Sequence, residues 1–363
     1  MKKILLATLL LTQSNLSLAE SNEGSNEYTF NHGNNEYMHT IGFDSKTSNY
    51  TVLNKYPYYH HNTTVMVGIF DSGYYFNHED LTNTLTSGTS REDMHGTLVA
   101  GIIGAEKDNN LGYTGIIKPK KMYGMSYYHK PSSNDKRSYV KSLCSYFDVI
   151  NISQTLSRTA YRVSRSNYND EIHLISMNKW RDIFLSPECI NTTFVISGGN
   201  SKVDARKENG GLQYIKVNNQ YIYSSAPNII ITGAIQGNEI TQNYGESIDI
   251  YAPENIGGPS IVSNGISLYT KSATGSSITA PQVTGAAAMI QREIKNNPGR
   301  LKEYLTTKVN LTMISKVKGL STATTSRPVL NIYKIVEKVV NDFGPGIWPN
   351  TYNQKTVASL RFF

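Results

Sequence analysis

Short apolar runs recur along the chain from residue 65 onward, and longer segments of mixed polarity separate them. Continuous runs rich in β-branched residues are typical of strands that are buried on both faces of a parallel sheet. The predicted strands are 65–70 (VMVGIF), 120–125 (KKMYGM), 148–153 (DVINIS), 192–197 (TTFVIS), 228–235 (NIIITGAI) and 247–252 (SIDIYA). The segments between them predict helices at about 95–105, 139–147 and 170–185. This alternation predicts an α/β fold, with a mainly parallel β-sheet and helices packed on both faces.

The two ends of the chain depart from this pattern. Residues 1–19 (MKKILLATLLLTQSNLSLA) combine two lysines, an apolar stretch and small residues at the expected cut. They predict a secretory signal peptide, with a buried first helix as the alternative. Residues 20–60 show no sustained period and predict an irregular arm. Residues 61–341 are expected to form the main domain, which closes with a helix at 329–341. The tail, 342–363, either docks on this domain or contacts a partner.

Composition narrows the possible partners. The net charge of +7 is spread along the chain rather than grouped in blocks, which argues against nucleic-acid binding. After residue 19 the sequence has no run of about 18 apolar residues, so no segment is predicted to span a membrane. The predicted signal implies a secreted or periplasmic protein. In an exported chain, the two cysteines, Cys144 and Cys189, favour a disulfide over two free thiols.

Three polar residues lie where predicted strands end or helices begin. Asp71 directly follows the first strand, His95 opens the segment HGTLVAGIIGA, and Ser277 lies near the start of GSSITAPQVTGAAAM. A buried carboxylate is costly without a partner, so we expect Asp71 to be paired in the fold. Each residue alone has a purely structural explanation, as a strand-end cap, a polar helix start or an N-cap. Together, in the order Asp, His, Ser, they favour one site at the carboxyl edge of a parallel sheet.

These segments resemble the signature motifs of the subtilisin-like serine proteases, the subtilases. The matching pieces are DSG with HEDL, HGT with VAG, and GSSITAP with VTGAAAM. The resemblance implies a peptidase domain at 61–341 that hydrolyses proteins or peptides through an acyl-enzyme. It also implies that Asp71 orients His95 and that His95 activates Ser277 as the nucleophile. The neighbouring Ser276 is the alternative nucleophile.

A fourth segment, TFVISGGNS, places Asn200 after an apolar strand and two glycines. The resemblance implies that its side-chain amide and the backbone N–H of Ser277 form an oxyanion hole. An asparagine that serves only the turn is the alternative.

The segment VINISQTLS resembles the family's strand that pairs with the substrate backbone. It implies substrate-binding roles for Ser153, Gln154 and Thr155, and Gly198 and Gly199 are the candidate pocket wall. Gln154 and Thr155 stand where subtilases commonly have Leu and Gly, so we expect a different pocket shape.

The segment KDNNLGYTG is similar to the family's calcium loop, and Asp80 and Asn109 are its candidate side-chain ligands. A hard cation requires six or more oxygens, and a solvated turn is the alternative. The reaction itself requires no cofactor.

The layout suggests a narrower alternative. Only about 50 residues separate the predicted signal from Asp71, which leaves little room for a removable prodomain. Together with the short tail, this layout is similar to the A subunit of subtilase cytotoxin, which implies cleavage of a specific host protein and carrier B subunits bound through the C-terminal tail. A third possibility is an inactive subtilase fold that only binds.

Overall fold

The computed structural model of the chain describes residues 40–43, 52–60, 64–82, 84–87, 91–107, 109, 111–129, 132–157, 169–294 and 297–344. The predicted signal peptide, much of the predicted arm and nearly all of the predicted tail lie outside the described residues. Within these ranges, no helix has both the length and the apolar character that a membrane crossing requires.

Most strands of the described residues form one sheet. The strands are β1 (Met66–Asp71), β2 (Leu85–Ser87), β3 (Lys121–Ser126), β4 (Val149–Ile152), β5 (Thr193–Ser197), β6 (Tyr214–Val217), β7 (Gln220–Tyr223), β8 (Ile229–Gln236), β9 (Glu239–Ile240), β10 (Ile250–Pro253), β11 (Ile256–Ser263), β12 (Ile266–Ala273), β13 (Met313–Ile314) and β14 (Arg327–Pro328). The sheet runs in the order β10-β8-β5-β4-β1-β3-β2 with all neighbours parallel, and β9 pairs antiparallel with β8. The predicted α/β fold with a mainly parallel sheet is confirmed.

Helices lie between the strands. They are α1 (Val52–Lys55), α2 (Pro57–His60), α3 (Met94–Gly104), α4 (Ser133–Leu143), α5 (Asp170–Phe184), α6 (Ser276–Ile290), α7 (Pro298–Thr306) and α8 (Ile332–Phe343). The helix predicted at 139–147 begins earlier, because the side chain of Ser132 caps α4 by accepting from the N–H of Asp135. The helix predicted at 329–341 begins later, at Ile332, because Asn331 caps α8 with a side chain that accepts from the N–H of Lys334.

Each face of the sheet carries its own core. Successive side chains of a strand point to opposite faces, and in β1 this sends Val67 and Ile69 into a cluster that includes residues of α3 and α6. Phe70 lies in a second cluster with Trp180 of α5 and Val140 of α4. Helices therefore cover both faces of the sheet, as the apolar runs predicted.

The beginning of the described chain belongs to the folded body. The side chains of Ile41, Phe43 and Val52 are fully buried in the same core as α8. The N–H of Ile332 donates to the carbonyl of Ile41 at 2.6 Å, and the N–H of Val52 donates to the carbonyl of Gly42 at 3.0 Å. Part of the predicted arm therefore packs against the last helix.

A disulfide joins Cys144 and Cys189, whose Cα atoms lie 4.9 Å apart. The two cysteines precede the amino ends of β4 and β5. The hydroxyl of Thr192 also donates to the carbonyl of Cys144 at 2.7 Å. These links tie neighbouring strands together at the amino edge of the sheet, opposite the edge where Asp71 ends β1.

Candidate active site

Asp71 and His95 form a hydrogen-bonded pair at the carboxyl end of β1. Asp71 is the fully buried last residue of this strand, and His95 lies in the first turn of α3. The cap residue Asp93 holds this turn by accepting from the backbone N–H of His95 at 2.9 Å. Nδ1 of His95 lies 2.7 Å from Oδ1 of Asp71. Because an ionised carboxylate only accepts hydrogen bonds, Nδ1 carries a proton and Nε2 is available for a second partner.

Opposing effects set the pKa of His95. Burial lowers it, but the charge of Asp71 and the hydrogen bond to Asp71 raise it, and the net result is a pKa above the usual value. Asp93 adds a smaller effect in the same direction. The imidazole is still 28% exposed, so it can be reached from solvent. A histidine with a raised pKa accepts a proton readily, as a general base must.

The contacts of Asp71 converge on one carboxylate oxygen. Besides His95, Oδ1 accepts from the N–H of Ser72 at 2.6 Å, from its hydroxyl at 3.1 Å and from Nε2 of Gln154 at 3.1 Å. The other oxygen, Oδ2, is buried and has no hydrogen-bond partner among the described residues. The donors on Oδ1 therefore fix the orientation of the carboxylate.

Ser277 lies in the first turn of α6 and is nearly buried. The hydroxyl of Ser153 donates to the backbone carbonyl of Ser277 at 2.8 Å, and the next residue, Gln154, donates to Asp71. Two consecutive residues after β4 thus connect Ser277 with the Asp71–His95 pair. Within the described residues, the side chains of Ser277 and His95 do not hydrogen-bond, which is common for a nucleophile and its base without substrate.

The neighbouring Ser276 has a different environment. Its hydroxyl is buried, donates to Oδ1 of Asn200 at 2.9 Å and accepts from the N–H of Gly199 at 2.9 Å. The hydroxyl of Ser277 has no such bond to any residue that the structure describes. This difference favours Ser277 over Ser276 as the nucleophile.

Asn200 lies against the start of α6. Its Oδ1 accepts from the backbone N–H of Ser276 at 2.7 Å, whereas its Nδ2 has no hydrogen bond to a described residue. Gly275 has φ 115°, and a Cβ there would lie 3.0 Å from Nδ2 of Asn200, so a glycine is needed for this approach. The N–H of Ser277, in the first helical turn, has no acceptor within the helix. Nδ2 of Asn200 and the N–H of Ser277 are thus two available donors near the start of α6.

The family profile described as the subtilase family matches residues 62–331. The chain belongs to the subtilase family. Its three signature segments lie inside the matched range. This subtilase is a serine endopeptidase.

Three solved protease structures resemble this subtilase at low sequence identity. A protease from Pseudoalteromonas arctica is 19% identical, with a TM-score of 0.55 over 77% of this chain and 91% of that chain. The nisin leader peptidase from Lactococcus lactis is 20% identical, with a TM-score of 0.52 over 78% of this chain and 90% of that chain. A cold-adapted subtilisin-like serine proteinase is 20% identical, with a TM-score of 0.50 over 75% of this chain and 90% of that chain. These likenesses show the shared fold. No curated protein is significantly similar to this subtilase in sequence.

The predicted substrate-binding residues lie at the carboxyl ends of β4 and β5. Gly198 donates its N–H to the carbonyl of Thr232 at 2.8 Å, which continues the sheet. Thr155 is partly exposed beside Gln154. The backbone carbonyl of Gln154 accepts from Nδ2 of Asn209 at 2.9 Å, and the side-chain amide of Gln154 donates to Asp71. Part of the hydrogen-bonding capacity of this segment is thus taken up inside the protein.

Glu208 supports the Asn200 turn, although the sequence did not predict a role for it. Its buried carboxylate accepts from the N–H of Asn200 at 3.0 Å, from Nδ2 of Asn243 at 2.9 Å and from the hydroxyl of Ser201. Burial raises the pKa of Glu208, and these hydrogen bonds act against the rise. Gly199 has φ 106°, and a Cβ there would lie 1.4 Å from the carboxylate of Glu208, so only glycine fits.

Asn209, the next residue, joins the two strand ends. Its Nδ2 donates to the carbonyls of Gln154 and Ser197 at 2.9 and 2.8 Å, and its Oδ1 accepts from the N–H of Leu156 at 3.0 Å. The segment ENGG gives no local signal of these contacts, because every partner is distant in sequence.

The predicted calcium ligands hydrogen-bond to each other. Nδ2 of Asn109 and the N–H of Tyr113 donate to the two carboxylate oxygens of Asp80 at 3.1 and 2.9 Å. Oδ1 of Asn109 accepts from the N–H of Leu111 at 2.9 Å. In the part of the chain that the structure describes, no three His, Cys, Asp or Glu residues are grouped to hold a metal ion. The calcium site stays a prediction, and these contacts do not fit the open oxygen ligands that calcium requires.

Proposed function

We propose that this subtilase hydrolyses peptide bonds with Ser277 as the nucleophile, His95 as the general base and Asp71 as the residue that orients His95. The observation that supports this most strongly is the 2.7 Å bond between Nδ1 of His95 and Asp71. It leaves Nε2 free to take a proton. The hydroxyl of Ser277, which has no hydrogen bond to a described residue, is the proposed donor of that proton. Ser153 bonds the backbone carbonyl of Ser277, and the next residue, Gln154, bonds Asp71.

The reaction follows from these groups. Oγ of Ser277 attacks the carbonyl carbon of the scissile bond, and its proton passes to Nε2 of His95. The negative oxygen of the tetrahedral intermediate accepts from Nδ2 of Asn200 and from the N–H of Ser277. The C–N bond then breaks, and the leaving amine takes the proton from His95. Water then attacks the acyl carbon while His95 takes its proton. When the bond to Oγ of Ser277 breaks, His95 returns this proton to Oγ, and the acid is released.

The substrate backbone is proposed to pair with Ser153 to Thr155 as an added strand. Because the carbonyl of Gln154 already accepts from Asn209, this pairing relies on the remaining main-chain groups. Gly198 and Gly199 border the primary pocket in this proposal, and Glu208 closes the space behind Gly199.

Hydrolysis of an unfolded protein such as reduced casein tests the proposal. The wild-type chain should cleave it, and Ser277→Ala should lower kcat by a factor of about 10⁴ or more. Ser263→Ala, which changes an exposed serine at the end of β11, is the matched control and should keep full activity. If Ser277→Ala cleaves as fast as the wild type, Ser277 is not the nucleophile. A folded wild type that does not cleave would favour the binding-only alternative.

We propose further that the protein is exported. Residues 1–19 supply the predicted signal, and the Cys144–Cys189 disulfide supports an oxidising compartment. Expression of the full chain in a bacterium, followed by mass spectrometry of the periplasmic and external fractions, should find a mature chain that begins at Glu20. A full-length chain retained in the cytoplasm would contradict this.

A second candidate function is the catalytic A subunit of a subtilase-type toxin that cleaves a specific host protein. Its supporting observation is the burial of Ile41 and Phe43, which makes this segment part of the body rather than a removable prodomain. Deletion of residues 345–363 separates the candidates. Unchanged peptide cleavage with lost binding to a co-produced small partner would support carrier B subunits. Unchanged cleavage without any such partner would support a free endopeptidase.

A further inference from the structure

One donor on Asp71 comes from a residue to which the reaction assigns no chemical step. Nε2 of Gln154 donates to Oδ1 of Asp71 at 3.1 Å, the same oxygen that bonds Nδ1 of His95 at 2.7 Å. The remaining donors on this oxygen belong to Ser72, the next residue in the chain. Apart from His95, Gln154 is thus the donor that reaches Asp71 from a distant segment, within the described residues.

Gln154 is itself held in place. Its carbonyl accepts from Nδ2 of Asn209, and the hydroxyl of the preceding Ser153 donates to the carbonyl of Ser277. The backbone on both sides of the Gln154 side chain is therefore fixed to the site. A leucine, the residue that subtilases commonly have here, has no group that donates, so this bond depends on the residue type of this chain.

We propose that Gln154 is a positioning residue: its amide holds the Asp71 carboxylate in the orientation that His95 requires and weakens the attraction of that carboxylate for the charged imidazole. This inference rests on the proposed function of the Asp71–His95 pair. The partial positive charge of the Gln154 N–H lies against the oxygen that stabilises the imidazolium. It therefore opposes the charging of His95.

Asp93 and Arg91 are the other charged residues to consider near His95. Asp93, at the cap of α3, favours the charged imidazole, and Arg91 pairs with Asp93 at 3.8 Å. The site residues at the end of β5 and the start of α6, Asn200 and Ser277, are uncharged. Removal of the Gln154 amide therefore leaves the carboxylates of Asp71 and Asp93 to act on His95 without this opposing dipole.

The expected effect is a shift in titration. Gln154→Leu replaces the amide donor with an apolar side chain of similar size, so the pKa of His95 should rise by about half a unit to one unit, the effect of one hydrogen bond. A nuclear magnetic resonance titration of the His95 ring in a Ser277→Ala background measures this directly. The His95 signal is assigned by its loss in His95→Ala. Gln220→Leu, the same change at an exposed position in β7, is the matched control and should leave the titration unchanged.

An unchanged His95 midpoint in folded Gln154→Leu would overturn the inference. If the leucine variant does not fold, Gln154→Met, which has an unbranched side chain and no donor, takes its place with the same expected shift. In the active background, the acid limb of kcat/KM should move to higher pH by the same amount. Because the resonance titration needs no hydrolysis, an inactive wild type would refute the proposed function, whereas an unshifted His95 would refute the role of Gln154.

Discussion

Single residues around the site differ in whether their hydrogen-bonding groups are already used. The hydroxyl of Ser276 and the carboxylate of Glu208 are buried and bonded to the Asn200 turn. The hydroxyl of Ser277, in the first turn of α6, and Nδ2 of Asn200, which lies against that turn, have no bond to described residues. This contrast separates residues that hold the site from residues whose groups are available to a substrate.

Asn200→Asp tests the proposed oxyanion donor. The aspartate keeps an oxygen that can accept from the N–H of Ser276 but replaces the Nδ2 donor with a second oxygen. We expect kcat to fall by at least about a hundredfold, the usual cost of one such donor, while KM changes little. Steady-state kinetics on a short peptide measure both quantities, and Asn134→Ala, at an exposed position in α4, is the control. A loss of less than about tenfold would exclude Asn200 as a donor to the intermediate.

The pKa of His95 predicts opposite pH trends for activity and stability. The neutral imidazole is the base, so kcat/KM should rise with pH through the folded pKa, which lies above the unfolded value of about 6.5. The proton on His95 stabilises the fold, and this contribution is complete below about pH 6.5 and is lost as pH rises through the folded pKa. Measurements of kcat/KM between about pH 5 and 9 test the activity trend, and an acid limb centred below about pH 6 would contradict that trend.

Residue types alone predicted the candidate reacting side chains but not the residues that hold them in place. Asp71, His95, Ser277 and Asn200 stand in local patterns of strand end, helix start and glycine-rich turn, and such patterns can be read in sequence. Glu208 and Asn209 hold the same site through contacts with residues outside their own turn of the chain, and no local pattern encodes those contacts. The bond from Gln154 to Asp71 was missed for the same reason.

At the scale of elements, the central strands could be predicted because burial on both faces requires continuous apolar runs. The antiparallel hairpin of β11 and β12 was not predicted, since its apolar residues are interrupted by Gly257, Gly258 and Pro259. The start of α4 was placed too late because its first turns are polar, and a capping serine rather than an apolar face defines where it begins.

The disulfide stabilises the connection between elements. It closes a sequence separation of 45 residues between the end of α4 and the approach to β5. Replacing both cysteines by alanine should lower the free energy of unfolding by about 2–4 kcal/mol. Because the bond lies at the amino edge of the sheet, kcat at low temperature should stay close to that of the wild type. Urea unfolding of the wild type and of the double alanine variant measures the change, and equal unfolding midpoints for these two proteins would contradict it.

At the scale of the whole molecule, one parallel sheet with a core on each face brings residues from distant parts of the chain to a single edge. Asp71 ends β1, Gln154 follows β4 and Asn200 follows β5, while α3 and α6 supply His95 and Ser277. The segment around Ile41 packs with α8, so both ends of the described chain contribute to the same core. The site therefore depends on the complete fold.

The most direct test of this account is covalent labelling of the folded protein with a fluorophosphonate or sulfonyl fluoride, followed by peptide mapping. These reagents react with a serine that a neighbouring base activates. The account predicts one adduct, on Ser277, that is lost in Ser277→Ala and strongly slowed in His95→Ala. A folded wild-type protein that stays unlabelled, or that carries its adduct on Ser276, would contradict it.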